Sequence, residues 1–190
     1  MTTPSIKLIP IAKPQGKAPR RPFGCEGLNV SLFTLGTMRA LNSAEQMYEV
    51  VQAALLAGIN HIETAPAYGS AEEFLGLALR RLKAEGKGPR GGWVITSKLL
   101  PGLTFSEGKK QLKCILNRLG LHKIHNLAVH GLNQKEHLDW VLEGAGADFL
   151  QWAKGENLIE QVGFSSHGSI SLIQKAIESN RFQFCSLHLH

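Results

Sequence analysis

Apolar positions in this chain recur with two spacings, and the two alternate. Short apolar runs with strand-like composition occupy 31–37, 59–64, 93–98, 125–130, 160–165 and 184–189. Between them the apolar residues fall at helical spacing. In 71–83, for example, Phe74, Leu75, Ala78, Leu79 and Leu82 share one face. Boundary signals agree with this reading. Ser43 with Gln46 three residues later forms a capping box for a helix over 44–57, and Gly58 stops it. Ser106 is read as the cap of a helix over 107–119 ending at Gly120. Helices over 134–154 and 169–179 follow, the second closing at Asn180.

The strand starts are separated by 28, 34, 32, 35 and 24 residues, the length of one strand-plus-helix unit. Alternation at this spacing implies parallel strands joined by right-handed crossovers. Six units exceed a simple flavodoxin-like sheet and fall short of a closed eight-stranded barrel. The first strand is followed by Leu35-Gly-Thr-Met38, with a single glycine, so a dinucleotide-binding Gly-rich turn is not present there. The expected fold class is therefore α/β of the (β/α)8 TIM-barrel type, with about six of eight units in this chain. Ahead of it, 21–30 carries glycines at both ends of a turn-rich segment and reads as a hairpin or plug.

Three successive runs end on side chains that can move protons. The run at 59–64 reaches Glu63 and turns through Pro66 and Gly69 with Tyr68 projecting. The next ends on Lys98 and the third on His130. In a parallel α/β sheet the strand ends form the rim where ligands bind. A carboxylate, a phenol, an ammonium and an imidazole on that rim point to proton transfer to or from an oxygen. Taken one at a time, each has a plainer reading: a turn-packing aromatic, a solvated ion pair and a core histidine. Their delivery by consecutive units favours a common site.

The net charge of +6 would suggest nucleic-acid binding if it were spread over the domain. It is not. Residues 1–22 hold Lys7, Lys13, Lys17, Arg20 and Arg21 with no acid, while the rest carries 16 basic and 15 acidic side chains. The expected organisation is a disordered basic tail over 1–22 and a near-neutral domain over 23–190 that binds no nucleic acid. The sequence has no 18-residue apolar run and no secretory leader, so no membrane association is expected. Three scattered cysteines, Cys25, Cys114 and Cys185, fit a reducing cytoplasm better than a disulfide framework.

In order and spacing, several motifs resemble the aldo-keto reductase family. They are Phe23-Gly-X-X-Gly27-Leu-X-Val30, Leu35-Gly-Thr-Met38, Glu63-Thr-Ala-X-X-Tyr68-Gly69 with Glu72, Thr96-Ser-Lys98, Leu127-X-Val-His130 and Gly163-X-Ser165. The resemblance implies an eight-stranded barrel and an oxidoreductase that transfers a hydride from a nicotinamide cofactor, NADP in its reduced form, to an aldehyde or ketone, a small-molecule carbonyl substrate. It implies a tetrad of Tyr68 as proton donor, Lys98, His130 and Glu63, with Glu63 standing where the family has aspartate. It also implies a cofactor set of Gly36, Thr37, Met38, Glu63, Ser165, Ser166 and Ser186. The chemistry suits these types, because an ammonium beside a phenol favours its anion and a carboxylate holds the ammonium in place.

The sixth strand of the family usually supplies an amide and, three residues on, an aromatic; here those places hold Ser186 and Leu189. No counterpart of the family's seventh and eighth units is found, so the alternative is a non-catalytic or remnant NADP(H)-binding barrel fragment. An open array of strands also implies self-association through unpaired edges near Leu32–Leu35 and Phe184–Leu187. Two further motifs are set aside. His188-Leu-His190, with His130 and His167 on the same rim, has metal-ligand spacing but no accompanying aspartate, so no metal is expected. The loop at 86–92 is glycine-rich without the phosphate-loop order and reads as an exposed turn.

Overall fold

The computed structural model describes residues 16–24, 27–39 and 42–188. An antiparallel hairpin comes first, β1 (Arg20–Pro22) paired with β2 (Asn29–Ser31), Arg21 opposite Val30. The tail expected over 1–22 is thus ordered at its end, because Arg20–Pro22 find a partner strand and Ala18 donates its N–H to Ala57 O at 2.8 Å. Residues 1–15 lie outside the described part. The single strand expected over 31–37 is split into β2 and β3 (Leu35–Gly36). The cause is local: the Ser31 hydroxyl donates to Phe33 O at 2.6 Å and accepts from Asn60 N at 3.2 Å, offering the backbone a bend in place of a ladder.

From there strands and helices alternate. They run α1 (Ala44–Leu56), β4 (His61–Glu63), α2 (Ala71–Ala84), β5 (Val94–Leu99), α3 (Phe105–Leu119), β6 (Ile124–Val129), α4 (Lys135–Leu142), α5 (Ala145–Gly155), β7 (Ile159–Ser166), α6 (Ile170–Glu178) and β8 (Phe184–Leu187). The strands from β3 to β8 form one parallel sheet whose spatial order is the chain order. It is the curled, partial (β/α)8 barrel that the spacing implied, with β3 and β8 at its edges among the described residues.

Two helix boundaries differ from expectation. The α3 helix opens on Thr104, not Ser106, since only Thr104 has a glutamate three residues on. Thr104 Oγ1 accepts from Glu107 N at 3.3 Å, and Glu107 Oε2 accepts from Thr104 N at 2.8 Å. The helix expected over 134–154 breaks into α4 and α5 at Gly144, whose extended backbone lies against Trp140. A side chain on Gly146 would lie 2.5 Å from the Trp140 ring, itself anchored by Nε1 to Leu103 O at 2.7 Å. At α1, Ser43 Oγ caps Gln46 N as expected, but the Gln46 side chain returns to Asn42 N, one residue early. The loop over 86–92 is a turn, closed by Lys87 N to Leu82 O and Gly92 N to Pro89 O.

Alternation along the strands gives the sheet two unlike faces. The outer face (Ile62, Ile95, Leu127, Val162, Phe164) packs on the helices through Leu75, Leu82, Leu112, Ile115 and Phe149, and this layer is the hydrophobic core. The inner face is polar. His61 is held between Thr34 Oγ1 (2.9 Å) and Thr96 Oγ1 (2.8 Å), and Asn126 Nδ2 donates to Thr96 Oγ1 at 2.9 Å. Phe23 of the hairpin closes this interior from one side, its ring 5.2 Å from both His61 and Phe184. None of the described helices is long and apolar enough to cross a membrane.

Two outcomes follow from this layout. Burial pulls the His61 imidazole down to about 4, against about 6.5 in an unfolded chain. As pH falls through 6.5 the unfolded chain takes up the proton first, so stability present above pH 6.5 is lost down to pH 4, by about 3 kcal/mol. Denaturant titrations at stepped pH will show this loss, and His61→Gln will flatten it. The edges β3 and β8, beside exposed Leu32 and Phe33, are expected to drive self-association. Light scattering checks this, and a monodisperse monomer with a cooperative melt contradicts it.

Candidate active site

Four elements deliver the tetrad of residues to one end of the sheet. Glu63 is the last residue of β4, and the chain then leaves the sheet through Thr64, whose N–H still bonds Thr96 O at 2.9 Å. A 3-10 turn over Pro66–Tyr68 follows, with proline at its start, and Gly69 at φ 60° releases the chain into α2. This presents Tyr68 over the neighbouring strand. Lys98 lies near the end of β5 and is buried, an unusual place for an ammonium. His130 follows β6 directly, its backbone N–H bonded to Leu99 O at 2.8 Å.

The ammonium organises the group. Lys98 Nζ donates to Glu63 Oε1 at 2.7 Å and to Tyr68 Oη at 2.6 Å. Burial pulls this ammonium down, but the hydrogen bonds to Glu63 and Tyr68 outweigh it, so Lys98 stays charged and above the usual lysine value. Because the phenol oxygen accepts from Lys98, its own hydrogen is left to donate elsewhere. The Tyr68 and His130 rings meet edge-to-face at 5.9 Å. Burial first, and the Lys98 charge second, lower the His130 imidazole, which is therefore neutral at pH 7 with one N–H donor. Glu63 reaches the ammonium despite its extra methylene.

Tyr68, Lys98 and His130 open into a cleft of about 790 Å³ whose far wall includes Ser165 and Ser186. Ser165 Oγ accepts from Gly131 N at 3.0 Å, which leaves its hydrogen available. The remaining expected residues divide. Gly36 and Glu63 line a separate cavity of about 320 Å³ in the barrel interior, which Ser186 also borders. Thr37 is buried with an unpartnered hydroxyl, while Met38 is half exposed and borders neither space. Ser166 is not at the cleft. It is buried, donates to Leu132 O at 2.6 Å and accepts from Gly168 N at 2.9 Å, so it fastens a loop. His188 is 6.1 Å ring to ring from His167, and His190 and Leu189 lie outside the described residues.

A family model described as the aldo/keto reductase family matches residues 32–190. The chain belongs to the aldo/keto reductase family. Among solved structures, a Pseudomonas aeruginosa protein named for the aldo-keto reductases is similar at 29% identity and TM-score 0.73, over 88% of this chain and 66% of that one. Two more distant likenesses support the fold alone. One is a Bombyx mori aldo-keto reductase solved in complex with NADP, at 23% identity and TM-score 0.70, over 92% and 59%. The other is the holo form of a Bacillus halodurans aldo-keto reductase, at 22% and 0.73, over 90% and 57%. The chain spans 57% to 66% of the length of these three.

In this aldo/keto reductase chain a second charged cluster sits behind the first. Glu72, fully buried on α2, accepts from Ser97 Oγ at 2.6 Å and from Arg118 of α3 at 2.7 Å. Glu72 is four residues past Tyr68 and Ser97 is one before Lys98, so this bond ties the two segments that carry the phenol and the ammonium. Sequence reasoning noted Glu72 only as part of a motif. It missed Asn133, in the loop after β6, and His137, in the first turn of α4, which line the cleft. No periodic signal marks a loop residue, and the clue available was the density of polar side chains just past a strand end.

The pairing makes a stability prediction of different size for the two partners. Glu63→Gln leaves a buried ammonium short of its counter-charge and should destabilise the fold by about 1.5–3 kcal/mol. Lys98→Met removes the charge and leaves Glu63, whose side chain is 26% exposed, to solvent, so its cost should be smaller. Paired urea melts check the order.

Proposed function

We propose that this chain carries the reaction centre of an NADP(H)-dependent carbonyl reductase, with Tyr68 as the proton donor. The observation that supports this best is the direction of one hydrogen bond: the Lys98 ammonium donates to the phenol oxygen at 2.6 Å and frees the phenol hydrogen for a substrate. When bound, the nicotinamide supplies the hydride. Two hydroxyls of the cleft suit its polar end: Ser165, with a hydrogen to give, and Ser186 on the open edge strand. The Bombyx mori likeness in complex with NADP favours the same cofactor.

In this reading the carbonyl oxygen sits between Tyr68 and the neutral His130, whose N–H orients it. As the oxygen gains negative charge, Tyr68 donates its proton there. The charge left on the phenol oxygen is met by Lys98, which is already in contact and needs no rearrangement. Glu63 keeps Lys98 in place, and Glu72, through Ser97, keeps β5 and the Tyr68 turn together. Thiols such as the exposed Cys114 and Cys185 fit a cytoplasmic setting.

Tyr68→Phe should lower the rate of NADPH oxidation with a panel of aldehydes by about 10²–10⁴-fold. Lys98→Met should cost more activity than Glu63→Gln, since losing the charge exceeds loosening it. Activity should fall at low pH, as His130 is protonated below its ordinary value near 6.5. The second reading is a binding module without turnover. NADPH fluorescence titration separates the two: binding with no turnover in any aldehyde, and no difference from Tyr68→Phe, would leave the module.

A further inference from the structure

The cleft has one-sided chemistry. Besides Tyr68 and small or apolar residues, its described walls carry the Lys98 ammonium, the imidazoles of His130, His137, His167 and His188, the Asn133 amide and serine hydroxyls, and no carboxylate. Glu63 is spent on Lys98 and faces the interior cavity. Lys98, Tyr68 and His130 are accounted for by the carbonyl end of a substrate. Ser165 and Ser186 are taken by the polar end of the nicotinamide, and Asn133, His137 and His167 form a second wall that nothing in the proton-transfer chemistry uses.

That wall is built on backbone. Asn133 Oδ1 accepts from His167 N at 2.8 Å, which holds the two loops together and leaves the Asn133 NH₂ as the donor still to be placed. The His137 ring is held at one edge, with Nδ1 3.2 Å from Asn133 N and 3.0 Å from Gly131 O, so its Nε2 edge is the one left for a ligand. Leu132 N donates to Ser165 O at 2.8 Å and closes the same loop onto β7. The Asn133 amide and the His137 ring, fixed in this way, lose little freedom on binding, which favours affinity.

We propose that Asn133, His137 and His167 form a carboxylate subsite, and that the substrate of the cleft is a carbonyl compound bearing a carboxylate at its far end, an oxo acid or an aldehyde acid. This rests on the carbonyl-reductase reading of Tyr68 and Lys98. A carboxylate has only acceptors to offer, and this wall presents N–H groups. The cleft's volume lies within the range of small-molecule sites and leaves room for both ends of such a substrate.

The test uses the full chain and titration calorimetry with 4-(hydroxymethyl)benzoate, the alcohol that reduction of 4-carboxybenzaldehyde yields, against its methyl ester and inorganic phosphate. The acid should bind about tenfold or more tightly than the ester. In a His137→Asn/His167→Asn variant that ratio should collapse to within about twofold. Asparagine at 137 keeps an acceptor for Asn133 N, and an unchanged melt verifies the fold. Equal binding of acid and ester overturns the proposal, as does a ratio that survives the double variant but is lost in His130→Asn, or tighter binding of phosphate than of the acid. These outcomes are independent of turnover. A chain that reduces no aldehyde yet keeps the acid preference loses the enzyme reading and retains the subsite, while one that reduces acid and ester alike and binds them equally loses only the subsite.

Discussion

A buried ammonium is the constraint around which this molecule is arranged. Lys98 sits inside the sheet layer, where an uncompensated charge would cost several kcal/mol. Every element near it supplies something to hold that charge. The end of β4 gives Glu63, the turn after it gives the phenol oxygen, and β5 itself is pinned to α2 and α3 by the Glu72–Ser97–Arg118 cluster. The cluster is also charged and fully buried on the glutamate side, so the two groups brace each other through adjacent residues on one strand. Ser97 faces the helices and Lys98 faces the interior, as the pleat requires.

The division between the faces of the sheet explains why stability and chemistry are kept apart. The helix-facing side is a continuous apolar layer and carries the burial on which folding depends. The interior side is lined by His61, Thr34, Thr96 and Asn126, bonded to one another. Hydrophobic stabilisation is therefore available without intruding on the rim, and rim residues can be polar without weakening the core. His61 connects the two, because its neutrality is enforced by the same burial that holds Phe23 against it.

Much of this was legible in the sequence, and the parts that were not have identifiable causes. The units were legible because a parallel strand covered by helices is an apolar run, and the crossover fixes the spacing between runs. The proximity of Glu63, Tyr68, Lys98 and His130 was legible because three of them sit at or beside the end of such a run and Tyr68 lies in the turn that follows the first. Ser166 misled because it shares a strand end with Ser165, and sequence does not say which of two adjacent hydroxyls turns inward. Strand periodicity also hid the break at Ser31, where a side-chain hydrogen bond competes with the ladder. The α4–α5 break depended on Trp140 lying over Gly144 and Gly146, a contact set by the tertiary fold. Asn133 was missed because loops have no period, and His137 because the period of α4 marks its buried face, not the end that reaches the cleft.

The order of the sheet has a bearing on how such a chain comes into being. Each barrel strand pairs with the one made just before it, from β3 to β8, and each helix covers the joint between them. Contacts are thus mostly between neighbours in sequence, which keeps the loops that must close short. A chain emerging from the ribosome can add one unit at a time onto a ready edge, with no need to thread back to an earlier strand. Growth by accretion leaves a receptive edge at every stage. The same geometry that lets the sheet assemble in sequence makes its last strand, β8, a template for whatever backbone arrives next.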